Sequence, residues 1–281
     1  MVDAVALYRQ AASCNRNDKY RKGNVVYLPP HGRLIVSGDL HGNRCNFRDI
    51  LNYADLEANP DTHLILQEIV HGGPSDEMGG CLSFQLVLRA AQLKCRFPEQ
   101  VHFLMGNHDM SVMLDSEVLK DGKEMNESMK NAIDRKYGED AEMVVLQMKQ
   151  FLFSQPLAIR TSDDIFMSHS LPADRFVDSF DPEVLERRLQ LEDMRRPNSA
   201  YLLCWGRNQS EETVNKMAQM LNARFFILGH QRQKDGFSRH GSRAVIIASD
   251  HYNGVIADID LEKENTMEDV IRSIKFISCL E

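Results

Sequence analysis

A series of short apolar runs, each closing on a side chain able to hold a metal or a proton, constrains this chain more than any global property. Arg33-Leu34-Ile35-Val36-Ser37-Gly38-Asp39 reads as a buried strand that delivers Asp39 at its carboxyl end. Residues 63–68, 101–107, 165–169 and 225–230 repeat the pattern and end on Glu68, Asn107, His169 and His230. Between the first of these runs lie helical stripes, Phe47, Ile50, Leu51 and Ala54, then Leu82, Leu86, Arg89, Ala90 and Leu93. Alternation of strand and helix predicts an α/β fold with a mainly parallel sheet under helices. Ligands gather at the carboxyl ends of such strands, where the polar residues fall.

The chain has 281 residues, of which 43% are hydrophobic, enough for a substantial core. No repeat or Pro/Gly linker divides it, so one domain over residues 1–281 is expected, with a helical insert at about 113–152. Within that insert the spacings of Met125, Met129 and Ile133, then Val144 and Met148, predict two helices, either a lid or an ordinary packed pair. Further helices are predicted at 182–195 and 211–222, and closing strands at 244–248 and 255–259. A formal net charge of -8 argues against a nucleic-acid polymer as partner. Cys14, Cys45, Cys81, Cys95, Cys204 and Cys279 show no paired spacing and read as reduced thiols. With no signal-peptide pattern and no apolar run approaching the ~20 residues a bilayer requires, the expectation is a cytoplasmic protein away from membranes. The sequence leaves the oligomeric state open.

Asp39 and His41 sit two apart in Gly38-Asp39-Leu40-His41-Gly42-Asn43, where the glycines let the backbone turn tightly enough for both side chains to meet. Asn107 and His108 repeat the arrangement in Gly106-Asn107-His108-Asp109. Carboxylate, imidazole and amide oxygen suit manganese, iron or zinc, and no thiolate is needed.

These motifs, in this order, resemble those of the phosphoprotein phosphatases within the calcineurin-like metallophosphoesterases. Gly38-Asp39-Leu40-His41-Gly42 matches the family's first motif, GDxHG, and Gly106-Asn107-His108-Asp109 its GNHE with Asp in place of Glu. Met167-Ser168-His169-Ser170-Leu171 is similar to MHGGL, Leu228-Gly229-His230-Gln231 to the later histidine segment, and Ser249 to Gly254 to SAPNYCG. The resemblance spans roughly residues 34–260 and implies a central β-sandwich flanked by helices in α-β-β-α layers. It further implies two divalent metal ions, manganese first, iron or zinc otherwise. One would be held by Asp39, His41 and Glu68, the other by Glu68, Asn107, His169 and His230.

The second motif departs from the pattern. Where the family has LGDxxDRG, this chain has Leu66-Gln67-Glu68-Ile69-Val70-His71-Gly72-Gly73. Glu68 stands for the bridging aspartate, His71 for the aspartate that orients the acid His108, and Gly72 for a phosphate-binding arginine. Glutamate keeps two oxygens for bridging. An imidazole at position 71 cannot offer His108 the same negative charge, so Asp76 is an alternative partner. Phosphate needs a guanidinium fork. Arg207 in Leu203-Cys204-Trp205-Gly206-Arg207-Asn208 is the first candidate, then Arg44, with Arg232 third, and Tyr252 stands where the family's tyrosine lines the cleft. The expected activity is a phosphomonoesterase working through a hydroxide activated by two metals, on a phosphoprotein or a small phosphoester. Hydrolysis of a dinucleotide polyphosphate and a metal-binding protein weakened in catalysis are the alternatives.

Overall fold

The structure is a computed structural model that describes residues 3–120 and 122–280. The predicted strands form in two sheets, the sandwich that the resemblance implies, rather than in the one mainly parallel sheet that the alternation of strand and helix alone predicts. In a five-stranded sheet Arg33–Asp39 lies parallel to Thr62–Gln67, which lies parallel to Val101–Leu104, while Val255–Asp260 runs antiparallel on the other side of Arg33–Asp39. In a seven-stranded sheet Phe225–Leu228 lies parallel to both Ile165–Ser168 and Ala244–Ile247.

The side-chain period of two explains why a single sheet is not the solution. Leu34, Val36, Ile65 and Leu104 of the first sheet share a core with Ile165, Met167, Ile227, Val245 and Ile247 of the second. The alternate residues Ile35, Leu64, Leu66 and Phe103 turn to the helices instead, as do Phe166, Phe226 and Leu228. Each strand is therefore apolar on both faces, one for helices and one for the opposing sheet, which makes a sandwich with helices outside. Asp39 bridges to Ala248 of the second sheet, and Gly38 packs so closely on the Ile247 carbonyl that a Cβ would collide with it. The sheets touch where the polar strand ends collect.

The two helices predicted from the methionine spacing form as Met125–Tyr137 and Ala141–Phe153, with Met125, Met129, Ile133, Val144 and Met148 buried. They pack on each other, and the second packs on Ala4–Arg16 and Asn107–Leu114. The helix predicted over 182–195 does not form. Only 3-10 turns occur there, at Pro182–Leu185 and Leu191–Met194. Its apolar residues Val184, Leu185, Leu189 and Met194 are still buried, but the carbonyls a helix would use are taken. The Asn24 side chain donates to the carbonyls of Val184 (2.7 Å) and Arg187 (2.9 Å), and the Asn24 amide to that of Leu185 (2.7 Å). A long-range partner has outbid the local hydrogen bonds. All six cysteines are free, and among the described residues no helix is long and apolar enough to cross a membrane.

At the amino ends of the same strands a buried polar chain ties the sheet to the N-terminal region. Lys94, 1% exposed, donates to Asp18 Oδ2 (2.9 Å) and to the carbonyls of Pro98 and Val101 (2.8 Å each). His102 Nδ1 meets the same Asp18 oxygen at 3.0 Å, and His102 Nε2 meets His63 Nδ1 at 3.1 Å. Burial pushes the Asp18 carboxyl up, but its hydrogen bond with His102 and the charges of His102 and Lys94 outweigh this and hold it well below the ordinary carboxylate range. Burial, with His102 beside it, lowers His63 from 6.5 to about 3.

Removing Asp18 strands a buried ammonium, so Asp18→Ala should cost about 3–5 kcal/mol in urea unfolding. The pH dependence follows from the same groups. His63 is kept neutral in the folded state and protonates near its ordinary value once unfolded, so its contribution is present above about pH 6.5 and is lost as pH falls towards 3. Asp18, being depressed, loses its contribution as pH falls through the carboxylate range, in the same direction. The urea midpoint should fall steadily over that window, and less steeply in His63→Gln.

Candidate metal centre

Several residues at the polar strand ends adopt a backbone conformation that L-residues avoid. His41 (φ 41°), Glu68 (φ 46°), His71 (φ 60°) and His230 (φ 66°) all lie in the left-handed region. Each such residue costs roughly 1–2 kcal/mol, and such strain persists where the surroundings dictate it. Here the surroundings are tight approaches of main chain. Gly72 (φ 138°) and Gly42 (φ 70°) pack loop against loop, and a Cβ at Gly72 would collide with the His41 carbonyl. The position at which the resemblance has an arginine therefore has no room for a side chain.

These turns bring Asp39, His41, Glu68, Asn107, His108, His169 and His230 together. Glu68, 1% exposed, directs its two oxygens to different neighbours: Oε2 lies 2.7 Å from His169 Nε2, and Oε1 lies 3.6 Å from His108 Nε2. Asn107 Oδ1 lies 3.0 Å from His169 Nε2 and 2.7 Å from His230 Nδ1. Asp39 Oδ1 accepts the His230 amide (3.0 Å) and lies 3.7 Å from His169 Nδ1, while its Oδ2 lies 3.9 Å from His41 Nε2. Potential ligand atoms from His41, Glu68 and His108, and from Asp39, Glu68 and His169, form compact groups that meet at Glu68.

Whether these residues suit cations is decided by where the protons are. Gln67 donates from Nε2 to the Ser37 carbonyl (2.8 Å), which leaves its Oε1 to accept the His169 Nδ1 proton at 2.9 Å. Burial lowers the His169 pKa, so the ring is neutral and Nε2 carries a lone pair. That lone pair faces the Glu68 and Asn107 oxygens, three acceptors turned towards one another. His41 is set similarly, since its Nδ1 donates to the Val70 carbonyl at 3.1 Å and leaves Nε2 facing inward. Burial, then the charges of His169 and Arg207, hold His230 well below its ordinary value, and its buried Nε2 has no hydrogen-bond partner among the described residues. Asp39 is pushed up to about 7 by burial, with the Glu68 charge adding to it against the opposing pull of His169. Converging lone pairs and crowded carboxylates are costly alone and are relieved by divalent cations.

Of the remaining candidates, His71 Nδ1 lies 2.9 Å from His108 Nδ1 and is the partner that fixes the latter ring. Asp76 is engaged elsewhere: Arg135 donates to it from Nε (2.9 Å) and Nη2 (2.6 Å), so it is not the His108 partner. Arg207 Nη1 reaches the His230 carbonyl (3.4 Å), which places its guanidinium at the rim of the cluster. Arg44 donates to Gln85 (3.1 Å), and Tyr252 is 85% exposed beyond the last loop. Asp109 caps the helix Asn107–Leu114 through the Gly106 amide (2.9 Å), and burial together with Glu68 pushes its carboxyl up to about 8. Sequence reasoning passed over Gln67, although a polar residue closing a buried apolar run, at a position where the resemblance has glycine, was a visible signal.

The sequence matches the calcineurin-like phosphoesterase family over residues 32–233. No curated protein sequence matches it. Among solved structures it is similar to a protein serine/threonine phosphatase from Saccharomyces cerevisiae, with 17% identity and a TM-score of 0.69 over 92% of this chain and 82% of that one. It is also similar to a cold-active protein-tyrosine phosphatase from a psychrophilic Shewanella species, with 12% identity and a TM-score of 0.61 over 89% and 80% of the two chains. At these identities the likeness is one of fold. The family match runs through most of the chain and takes in strands of both sheets and every residue of the cluster from Asp39 to His230, so the chain belongs to the calcineurin-like phosphoesterase family, metal-dependent hydrolases of phosphoester bonds.

Proposed function

We propose that the protein is a phosphomonoesterase that uses a pair of divalent cations held around Glu68. The observation that carries the reading is the convergence of the His169 Nε2 lone pair with the Glu68 and Asn107 oxygens at 2.7 and 3.0 Å, a set of acceptors that needs a cation between them. Asp39, His41 and Glu68 would hold one ion, and Glu68, Asn107, His169 and His230 the other. When bound, such ions neutralise phosphoryl oxygens and supply an activated water.

The chain's own residues do the rest. His108 sits beside the ligand Asn107 with its Nε2 turned into the cluster, so it can protonate the departing alkoxide. For that it must carry a proton on Nε2. The contact between the two Nδ1 atoms fixes the ring for this: in the imidazolium form that acts as the acid, His108 donates from Nδ1 to His71 Nδ1 and presents its Nε2 proton to the cluster. Arg207 supplies the guanidinium that Gly72 cannot, approaching from the His230 side. Gln67 fixes the His169 tautomer and so keeps Nε2 available to metal.

Metal-stripped protein reloaded with manganese should hydrolyse p-nitrophenyl phosphate with about two ions bound per chain. Preference for bis(p-nitrophenyl) phosphate would redirect the reading to diesters, and two ions with no turnover of either ester would defeat it. In His108→Ala, turnover should drop about 10²–10⁴-fold with metal content unchanged. Parallel loss of metal would make His108 a ligand instead. Gln67→Ala should weaken metal affinity about 10–100-fold in a competitive chelator titration, and an unaltered affinity would remove Gln67 from the centre.

A further inference from the structure

Beside the metal cluster lies a cavity of about 470 Å³ whose lining includes Arg175, Phe176, Arg196, Tyr201, Trp205 and Arg207. Two of these residues touch His230 of the cluster. Arg207 donates to the His230 carbonyl, and the Trp205 ring stands edge-on to the His230 ring with centroids 6.4 Å apart. Tyr201 stacks on Trp205 at 5.6 Å with 12° between the planes, which gives the cavity a flat aromatic wall.

The cavity lining is also basic. Arg175 and Arg196 both lie over the Phe176 ring, their guanidinium carbons 4.7 and 5.2 Å from its centroid. Each gains a cation–π contact, yet two like charges share one ring, and among the described residues neither forms an ion pair. Asp174 also lines the cavity, but it accepts the Ser210 amide at 2.8 Å at the start of the helix Glu211–Met220. An anion facing both guanidiniums would relieve their repulsion and accept their forked donors.

We infer that this cavity is a substrate subsite for a second anionic group, so that the preferred substrate is a phosphoester carrying another phosphate beyond the one removed. The inference rests on the phosphomonoesterase reading for the scissile group, with Arg207 between the two positions. A phosphorylated peptide and a nucleotide can each present this chemistry, and the test separates them.

Metal-loaded protein is titrated calorimetrically with a peptide bearing one phosphonate analogue of a phosphoresidue, and with the same peptide bearing two. Turnover is compared between adenosine 5′-monophosphate and adenosine 3′,5′-bisphosphate. A preference of about tenfold or more for the doubly charged member is expected in one pair, which identifies the source. The preference should vanish in Arg175→Ala with Arg196→Ala, while p-nitrophenyl phosphate turnover stays within about twofold, and it should survive in Arg175→Lys with Arg196→Lys. Absence of preference in both pairs overturns the subsite, as does a preference that persists in the alanine variant or an equal loss of p-nitrophenyl phosphate turnover. Because the phosphonate peptides report binding alone, a protein that prefers the doubly charged peptide but turns over no ester keeps the subsite and loses the phosphatase reading.

Discussion

The short contact between Glu68 and His169 organises the rest of the molecule. A carboxylate oxygen 2.7 Å from an imidazole nitrogen would ordinarily be a hydrogen bond, but the other nitrogen of that ring already spends the proton on Gln67. Burial disfavours a second proton on the ring. What remains is a buried carboxyl group that accepts the His108 amide at 3.2 Å on one oxygen and crowds an imidazole nitrogen and a side-chain amide oxygen with the other. The left-handed turns at His41, Glu68, His71 and His230 add strain at the same place. The sandwich supplies the compensation: two sheets packed through Leu34, Val36, Ile65, Met167, Ile227 and Val245 hold the strand ends in register, so the loops cannot relax apart.

How much of this was legible in the sequence depended on the range of the interactions. The strand runs and the Met125 to Met148 helices follow from periodicity, which is local, and the polar strand ends follow from it too. Residues such as Asp39, Asn107, His169 and His230 could be assembled because each ended such a run and the order of motifs resembled a known family. Division of the strands between two sheets was not legible in the periodicity, since a strand buried on both faces reads alike whether helices or a second sheet cover it. The helix expected at 182–195 failed for a similar reason: its apolar spacing was sound, but Asn24, far away in the chain, holds its carbonyls. The Arg135 grip on Asp76 and the His71 contact with His108 are likewise products of folding that spacing does not encode.

The unusual second motif is internally consistent once its neighbours are considered. Gln67 stands where the resemblance has glycine, and its side chain fills the space between Ser37 and His169 while satisfying both. Gly72 stands where the resemblance has an arginine, and the main-chain contact with His41 requires the absence of a side chain. The loop therefore sits closer to the first motif than a loop bearing a guanidinium at that position could. The absence of an arginine side chain at position 72 thus accompanies a close fit of the two turns that carry His41 and Glu68.

Charge bookkeeping shows why the altered motif remains compatible with hydrolysis. In the resembling pattern an aspartate and an arginine stand side by side and sum to zero; here an imidazole and a glycine replace both of those charges rather than one alone. The difference is local. On the proposed reading, an aspartate at position 71 would hold His108 through a carboxylate oxygen, whereas His71 holds it through a contact between ring nitrogens at 2.9 Å. On the same reading phosphate recognition falls to the His230 side, where Arg207 stands between the centre and the cavity of Arg175 and Arg196, so that selectivity would rest on what is attached to the scissile phosphate.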